Sequence, residues 1–508
     1  MVVLDGRSLS LAAVEDVARR KRRVELSPAA AERIAAAARL VDGFVQAGTK
    51  VYGVTTGVGE LRTVFIAPER SRALQKNILR SHAAGVGPHL AEDVVRAMLV
   101  LRINSFCQGH SGVRLETVQM LVEFLNRGLH PVVPAQGSVG ASGDLAPLAH
   151  LALPLIGEGE AYVQGRRLPG REALARVGLT PLELAPKEGL ALINGTQAMT
   201  AIGALAWVDG AGLALWADAA ASLTLEALKA NRTAFDPRIH QLRPFPGQQR
   251  SAAHLRRLTA GSRRLVDNGA ASVQDAYSLR CIPQVHGAVW DVLEHVRERL
   301  EIEANAVTDN PLLFPGEGLV LNGGNFHGQP IAMAMDYLAM GLAELASISE
   351  RRIERLVNPY LSGLPPFLIQ SSGLHSGYMV AQYTAAALVS ENKSLAHPAS
   401  VDSIPTSANQ EDHVSMGTIA ARQAAAIAEN TRHVLAIELV CAAQAIDLSG
   451  GPDGLGEYTG RLYRMVRDAV PYLDQDRFAA GDIQAARELL GADAARDQLA
   501  AWLAHHSS

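Results

Sequence analysis

Residues Gly137–Leu148 carry the sequence GSVGASGDLAPL, and the interpretation of the whole chain starts from them. Within this stretch Ala141, Ser142 and Gly143 place a small residue, a dehydratable hydroxyl and an unhindered amide in succession. In a tightly bent loop the Gly143 nitrogen can attack the Ala141 carbonyl, because glycine brings no side chain to that approach. Loss of water from the ring and from Ser142 would leave an exocyclic methylidene group. No ordinary side chain is electrophilic, so the tripeptide predicts chemistry on a nucleophilic amine.

Two other glycine-rich motifs are excluded by spacing, and a flexible turn remains as the simplest alternative. The glycines at 137, 140 and 143 are three residues apart, so they do not form the G-x-G-x-x-G dinucleotide fingerprint. A serine nucleophile elbow needs a second glycine at the position that Asp144 occupies. Neither motif is therefore present.

Composition indicates an ordinary globular protein that does not bind nucleic acid or span a membrane. The 508 residues are 48% apolar and 19% charged, with a net charge of −4. The basic run at residues 19–23 is isolated and is interpreted as a solvated helix end. Three widely spaced cysteines indicate reduced thiols in the cytoplasm, and residues 1–25 contain no signal peptide pattern.

Hydrophobic periodicity is mainly helical. Val118, Leu121, Val122 and Leu125 recur with helical spacing, and the pattern stops before Gly128, a plausible C-terminal cap. Such helices, apolar on broad faces, predict a bundle that other subunits complete. Three proline-free segments predict the longest helices: 198–229, 331–357 and 406–451.

Two further segments have distinctive composition. The uncharged run at 189–208 is interrupted by Asn194–Gln197, which favours a buried helix beside a polar site over a membrane span. Residues 231–264 are punctuated by proline and rich in arginine, and we predict a connection over the surface there.

Seven motifs in order along the chain identify a family. Together they resemble the aromatic amino acid ammonia-lyases over nearly the whole length. A single motif of this kind would be weak evidence, but seven in the family's order are very specific. They are Val51–Gly57, Ser81–Gly87, Gly137–Leu148, Leu192–Gln197, Val273–Arg280, Gly323–Pro330 and His397–Met416.

The resemblance implies a mainly α fold with a long-helix bundle of the fumarase/aspartase-like type and a smaller mixed N-terminal part. Residues 1–195 would carry the loop of the catalytic base and the cyclising loop, and residues 196–508 the central bundle and C-terminal helices. The resemblance also implies a homotetramer whose active sites each combine residues of three subunits. Its partner would be a small-molecule amino acid.

By the same resemblance, Ala141, Ser142 and Gly143 close into a 4-methylideneimidazol-5-one group (MIO), so no external cofactor is expected. Tyr52 would be the base that removes a β-proton. Each of the polar residues could instead have an ordinary packing or hydrogen-bonding role. The residues expected around the substrate and the MIO group are Asn194, Gln274 and Tyr277 as the polar shell, Arg280 as the carboxylate clamp and Phe326 beside the ring.

Substrate choice depends on two positions, His82 and Glu411. An imidazole at His82 suits a polar ring better than a phenyl ring. Glu411 can pair with an imidazole, whereas burying it against phenyl would cost several kcal/mol, although it could also be a helix N-terminal acid. These residues favour L-histidine as substrate, with trans-urocanate and ammonia as products in the first step of histidine degradation. The alternatives are a tyrosine or phenylalanine ammonia-lyase, an aminomutase, or a helical scaffold without activity.

Histidine spacing bears on metal binding, and two departures from the family's pattern bear on substrate range. His327 and His413 lie within two of the motifs, but no histidine pair with a carboxylate third ligand has metal-ligand spacing, so no metal is expected. Val58 and His110 stand where the family usually has aromatic residues. Val58 would enlarge a pocket near the lid, which bears on substrate range more than on reaction type.

Overall fold

Helices dominate the computed structural model, which describes residues 1–267 and 274–505. The helices in this part of the chain are α1 Leu11–Ala18, α2 Pro28–Gln46, α3 Pro68–His82, α4 Glu92–Phe106, α5 Leu115–Arg127, α6 Leu145–Ala152, α7 Gly170–Arg176, α8 Glu188–Ile193, α9 Gln197–Ala227, α10 Pro237–Gln241, α11 Pro246–Leu258, α12 Tyr277–Arg280, α13 Ile282–Ala304, α14 Gln329–Val357, α15 Pro359–Ser362, α16 Met379–Leu395, α17 Gly417–Leu448, α18 Glu457–Ala469, α19 Ala479–Gly491 and α20 Asp493–His505. The three longest described helices, α9, α14 and α17, occupy the three proline-free segments, although α9 begins one residue and α14 two residues before the predicted start. The prediction of the longest helices is therefore confirmed.

Four small sheets accompany the helices in the part of the chain that the structure describes. The strands β1 and β2 pair in parallel, whereas β3 with β5, β4 with β6, β6 with β7 and β8 with β9 pair antiparallel. Their bounds are β1 Val2–Leu4, β2 Val24–Leu26, β3 Val86–His89, β4 Leu129–Pro131, β5 Pro134–Gln136, β6 Glu160–Val163, β7 Arg166–Pro169, β8 Leu312–Phe314 and β9 Leu319–Leu321. The fold is therefore mainly α with a smaller mixed part.

The chain forms two compact units. Unit 1 comprises residues 1–208, 297–336 and 398–422, and unit 2 comprises residues 209–296, 337–397 and 423–508. All nine described strands belong to unit 1. The predicted division of the chain at residues 195/196 stays a prediction.

In unit 1 the local signals act as the sequence suggests. The helix α5 ends at Gly128, whose φ of 69° and ψ of 37° give the left-handed cap that glycine adopts most easily. The helix α4 is almost entirely buried from Val95 to Phe106, so it forms the centre of this unit. It carries two buried arginines, Arg96 and Arg102.

In unit 2 one prediction is wrong. The segment at 231–264 is not a surface connection, because it forms α10 and α11 and buries apolar residues. Pro246 starts α11, where a missing N–H is tolerated, and Leu255 and Leu258 face the interior. Leu255 belongs to a buried cluster that also contains Ala221, Leu225, Ala230, Phe235, Leu265, Leu279 and Ile282.

Within the described residues, two helices, Gln197–Ala227 and Gln329–Val357, are long and apolar enough to cross a membrane by length and composition alone. Their most apolar windows are 78% and 67% buried inside the protein. Core helices of large proteins have the same character, and the uncharged run at 189–208 is interpreted in that way.

Candidate active site

The tripeptide Ala141-Ser142-Gly143 lies in the loop between β5 and α6. Gly140 and Gly143 have φ of +69° and +70°, conformations that favour glycine. A Cβ on Gly143 would stand 2.1 Å from the Gly195 carbonyl oxygen, so no other residue fits there. Ala141 is also buried, at 8% exposure. The loop is bent tightly against its neighbours, as the sequence predicts.

The end of α8 holds one side of this loop. Asn194 Nδ2 donates to the Ser142 carbonyl oxygen at 3.1 Å, and the Asp144 N–H donates to the Gly195 carbonyl at 2.7 Å. Asn194 Oδ1 is buried and has no hydrogen-bond partner among the described residues. Asn194 thus contacts the tripeptide through Nδ2, while its Oδ1 accepts no hydrogen bond from the described residues.

The buried carboxyl group of Asp144 anchors the start of α6. It accepts hydrogen bonds from Ser138 Oγ at 3.0 Å, from the Met199 N–H at 2.8 Å and from Thr418 Oγ1. Burial raises the pKa of Asp144 despite these donors. This network ties the loop to α9 and α17 at their N-terminal ends.

Glu411, which belongs to the His397–Met416 motif, contacts the tripeptide through Ser142. Ser142 Oγ donates to Glu411 Oε1 at 3.2 Å, while Thr406 Oγ1 donates to Glu411 Oε2 at 2.7 Å. The residues Ser407, Ala408 and Asn409 between them have φ of +51°, +52° and +70°. This turn brings Thr406 and Glu411 together in an antiparallel bridge. The Glu411 carboxylate is thus held at one oxygen by Thr406 and at the other by Ser142.

Tyr52 lies in the turn that follows α2. The Gly59 N–H donates to Tyr52 Oη at 2.8 Å. Thr55 stabilises this turn, which accounts for a threonine at this position of the motif. Its Oγ1 accepts from the Val51 N–H at 2.9 Å and donates to the Thr49 carbonyl at 2.8 Å. The turn therefore carries its own hydrogen bonds and presents the tyrosine.

His82 is the last residue of α3. Its Nδ1–H donates to the Ile78 carbonyl at 2.8 Å, which leaves Nε2 as an acceptor. Burial lowers the pKa of His82, although the Ile78 carbonyl and the Glu411 carboxylate oppose this effect. We therefore expect a neutral imidazole at neutral pH.

Two adjoining cavities of about 770 Å³ and 440 Å³ connect these residues. His82, Val58 and Leu190 line the smaller cavity, and Phe326 lines the larger. The residues common to both are Tyr52, Gly59, Ser142, Asn194 and Glu411. Unit 1 thus brings together most of the predicted site residues.

Three predicted residues lie in unit 2, and none is among the described residues that line either cavity. Gln274 is exposed, and Tyr277 and Arg280 are on the short helix α12. Tyr277 is 71% exposed, and the Arg280 guanidinium lies 4.6 Å from the centre of its ring. Arg280 Nε is buried with no partner among the described atoms. Their roles stay predictions.

Other residues line the larger cavity without having a site role predicted from the sequence. Lys50 and Asn310 line it, as do His327 and His413, whose rings stack 5.6 Å apart. His327 Nε2–H donates to the His413 carbonyl at 3.2 Å, which joins two motif segments. Lys50 directly precedes the Val51–Gly57 motif, so proximity in sequence was its one available signal. No cluster of three metal-ligating side chains occurs among the described residues.

Comparison with known proteins agrees with this geometry. The family profile of the aromatic amino acid lyases matches residues 9–468. A histidine ammonia-lyase of Symbiobacterium thermophilum is 59% identical over 485 residues, covering 96% of both chains. The chain therefore belongs to the aromatic amino acid lyase family.

Solved structures give the same result. The crystal structure of histidine ammonia-lyase from Trypanosoma cruzi has a TM-score of 0.92 and 45% identity, covering 99% of this chain and 95% of the other. A tyrosine aminomutase from Streptomyces globisporus has a TM-score of 0.94 and 40% identity, with coverage of 100% and 99%. The fold is thus common to enzymes that eliminate ammonia and enzymes that move an amino group.

Proposed function

We propose that this chain is a histidine ammonia-lyase, which converts L-histidine to trans-urocanate and ammonia. The observation that carries the proposal is the Ser142–Glu411 contact, in a cavity that His82 also lines. A carboxylate can accept the N–H of an imidazole substrate, and Nε2 of His82 is a second acceptor. A phenyl ring offers neither group a hydrogen bond.

The residues present fit an MIO group formed from Ala141, Ser142 and Gly143. Gly143 has no room for a Cβ, Ala141 is small, and Asn194 Nδ2 already donates to the carbonyl that the ring would retain. The group would supply an electrophilic methylidene carbon, which would make the amine of the substrate a better leaving group. Asn194 would stabilise negative charge on the ring oxygen.

Tyr52 is the residue that would remove the β-proton of the substrate. It lines both cavities with Ser142, and the Gly59 N–H donates to its hydroxyl oxygen at 2.8 Å. A backbone donor at this oxygen stabilises the negative charge that a base must carry before it accepts a proton. Phe326 would cover the ring from the larger cavity.

Gln274, Tyr277 and Arg280 are proposed to bind the substrate carboxylate, with Arg280 using both arms of its guanidinium. We further propose a homotetramer with active sites shared between subunits. Large apolar side chains on the surface of unit 2 support this assembly: Tyr337 and Met340 on α14, Tyr360 on α15, and Val380 and Tyr383 on α16.

We further propose that the enzyme is cytoplasmic and needs neither a metal nor an external cofactor. Cys107 and Cys441 are unpaired and buried, as reduced cytoplasmic thiols are. Burial also raises the pKa of the Cys107 thiol to about 12, so it is unreactive. The net charge of −4 does not favour binding to the negatively charged phosphates of a nucleic acid.

The test is the incubation of the purified protein with L-histidine and, separately, with L-tyrosine and L-phenylalanine. We expect urocanate from histidine, followed by its ultraviolet absorbance, and little product from the other two. The Ser142→Ala variant should fold normally, because one loop hydroxyl contributes little stability, yet lose nearly all activity. A β-amino acid as the main product would contradict the proposal, as would wild-type rates for Ser142→Ala.

A further inference from the structure

Arg102 is buried in the middle of α4, at 1% exposure, and none of its hydrogen bonds to the described residues goes to a carboxylate. Its guanidinium stacks 4.5 Å from the Phe106 ring and donates to two neutral oxygens, Gln197 Oε1 and the Ala191 carbonyl. Burial lowers the pKa of Arg102 to about 10, which leaves it charged at neutral pH. The charge of the Asp309 carboxylate opposes this effect, but the hydrogen-bond acceptors of the guanidinium are neutral and its Nε has no partner among the described residues. A buried cation held in this way costs free energy, so we expect a role beyond stability.

Arg102 connects the two ends of one turn. The Ala191 carbonyl belongs to the last turn of α8, where carbonyls lack helical partners, and Gln197 is the first residue of α9. Between them, a Cβ on Gly195 would stand 2.4 Å from Arg102 Nη1 and 2.8 Å from Thr308 Oγ1. The backbone of Gly195 thus rests directly on the guanidinium.

The same turn grips the tripeptide from its other side. Asn194 Nδ2 donates to the Ser142 carbonyl at 3.1 Å, and Gly195 accepts from the Asp144 N–H at 2.7 Å. Gly143 approaches Gly195 so closely that an added Cβ would meet its oxygen at 2.1 Å. Any movement of the turn would therefore change the bend of the tripeptide.

We propose that Arg102 is a positioning residue for closure of the Ala141-Ser142-Gly143 ring, holding the 194–197 turn as the surface against which the loop is bent. The inference rests on the proposed function. In the closure the Gly143 nitrogen bonds to the Ala141 carbonyl carbon, and that oxygen leaves as water with the two amide protons of Gly143 and Ser142. A second water takes the Ser142 hydroxyl and its Cα hydrogen. Nothing is oxidised or reduced.

Arg102→Met and Arg102→Lys test this role. The measurement is the mass of the proteolytic peptide that contains residues 137–148, which shows the fraction of chains that have lost two waters. We expect the mature fraction of Arg102→Met to fall to about a tenth of the wild-type value or less. Lysine keeps the charge but cannot span both oxygens as the guanidinium fork does, so Arg102→Lys should mature only partly.

Arg96→Met is the matched control, because Arg96 is equally buried on the same helix. It donates to the Val17 and Leu125 carbonyls at 2.8 and 3.1 Å, away from the turn. This variant should lose stability but keep the mature tripeptide. Thermal unfolding and gel filtration would establish that each variant is folded. If Arg102→Met does not fold, the mature fraction of Arg102→Lys tests the inference.

Wild-type maturation in both Arg102 variants would overturn the inference, and so would an equal loss of maturation in Arg96→Met. An intact, uncyclised tripeptide in the wild-type protein is a different outcome, because it would overturn the proposed function itself.

Discussion

At the scale of single residues, Glu411 is the side chain through which the proposed function connects the tripeptide to the choice of substrate. Thr406 holds one carboxylate oxygen at 2.7 Å, and Ser142 occupies the other before ring closure. In the proposed ring closure the Ser142 hydroxyl leaves as water, and Oε1 would then be available to a ligand. The carboxylate is thus fixed in place by its own chain segment and does not need the substrate to orient it.

Glu411→Gln should lower kcat/KM for L-histidine, because the amide cannot replace a charged acceptor for the imidazole N–H. A hydrogen bond to a charged group is worth about 1.5–3 kcal/mol, or roughly a 10- to 150-fold loss in rate. Steady-state urocanate formation measures the effect. Glu457→Gln is the control, since Glu457 forms an exposed pair with Arg461. Equal rates in wild type and Glu411→Gln would remove the argument for histidine.

The motifs predicted which residues lie together, while the chemical roles of these residues stay predictions. Ser142, Asn194, Tyr52 and Glu411 line one cavity, as the resemblance implies. Arg102 was not predictable, because a lone arginine within an apolar helix carries no signal of what its fork binds. Its partners come from a turn about ninety residues further along the chain.

At the scale of elements, the isolated bridge between Gly143 and Gly195 controls the shape of the loop. The two glycines belong to different motifs, and the sequence alone cannot show that they touch. Both have left-handed or otherwise positive φ, at +70° and +149°. The requirement for glycine is steric at this contact and not only conformational.

Gly143→Ala should abolish ring closure, because the new Cβ would lie 2.1 Å from the Gly195 carbonyl oxygen. Gly128→Ala is a matched control, since Gly128 has a φ of +69° but no atom within 4 Å of an added Cβ. The control should cost about 1–2 kcal/mol of left-handed strain and still mature. Peptide mass and urocanate formation would distinguish the two. Full maturation in Gly143→Ala would contradict the assigned geometry.

The element predictions failed where composition was used without periodicity. Prolines and arginines at 231–264 were interpreted as a surface connection, yet α11 begins at Pro246 and buries Leu255 and Leu258 on one face. Arg250 of this helix is exposed, while Arg256 and Arg257 are half-buried and donate to the Phe235 and Leu503 carbonyls. Proline at the first turn of a helix is compatible with helical structure, so its presence marked a start and not a break.

At the scale of the whole molecule, unit 2 contains a buried polar network that the proposed chemistry does not use. Asp218 accepts from His254 Nδ1, His286 Nδ1 and Ser251 Oγ, each at 2.8 Å, and from Trp290 Nε1 at 3.3 Å. Burial raises the pKa of Asp218, but the hydrogen bonds from the two histidines outweigh it, and the pKa lies below the usual range. The network therefore contributes stability only while Asp218 is ionised.

Asp218→Asn should destabilise the protein by about 3–5 kcal/mol, because its amide leaves buried donors without an acceptor. In the wild type, a lowered pKa means that the contribution of Asp218 is complete above its unfolded value near pH 4 and is lost as the pH falls below it. Thermal unfolding between pH 7 and pH 3 measures both effects. Glu457→Gln should change stability by about 1 kcal/mol or less. A midpoint for Asp218→Asn equal to that of the wild type would contradict this account.

The long helices were predictable from their proline-free, alanine-rich sequences, and the helical class follows from them. The division into two units was not, because each unit collects segments that are distant in sequence. Buried polar networks such as that of Asp218 also escape sequence reasoning, since isolated histidines and aspartates resemble surface residues until the fold brings them together.

The most direct measurement is the mass of the peptide that spans residues 137–148 in wild-type protein that turns over L-histidine. Ring closure and dehydration predict a mass lower than the encoded sequence by two water molecules, with Ser142 absent as serine. A peptide of the encoded mass in fully active protein would show that the electrophile is not made from these residues, and the account would be wrong.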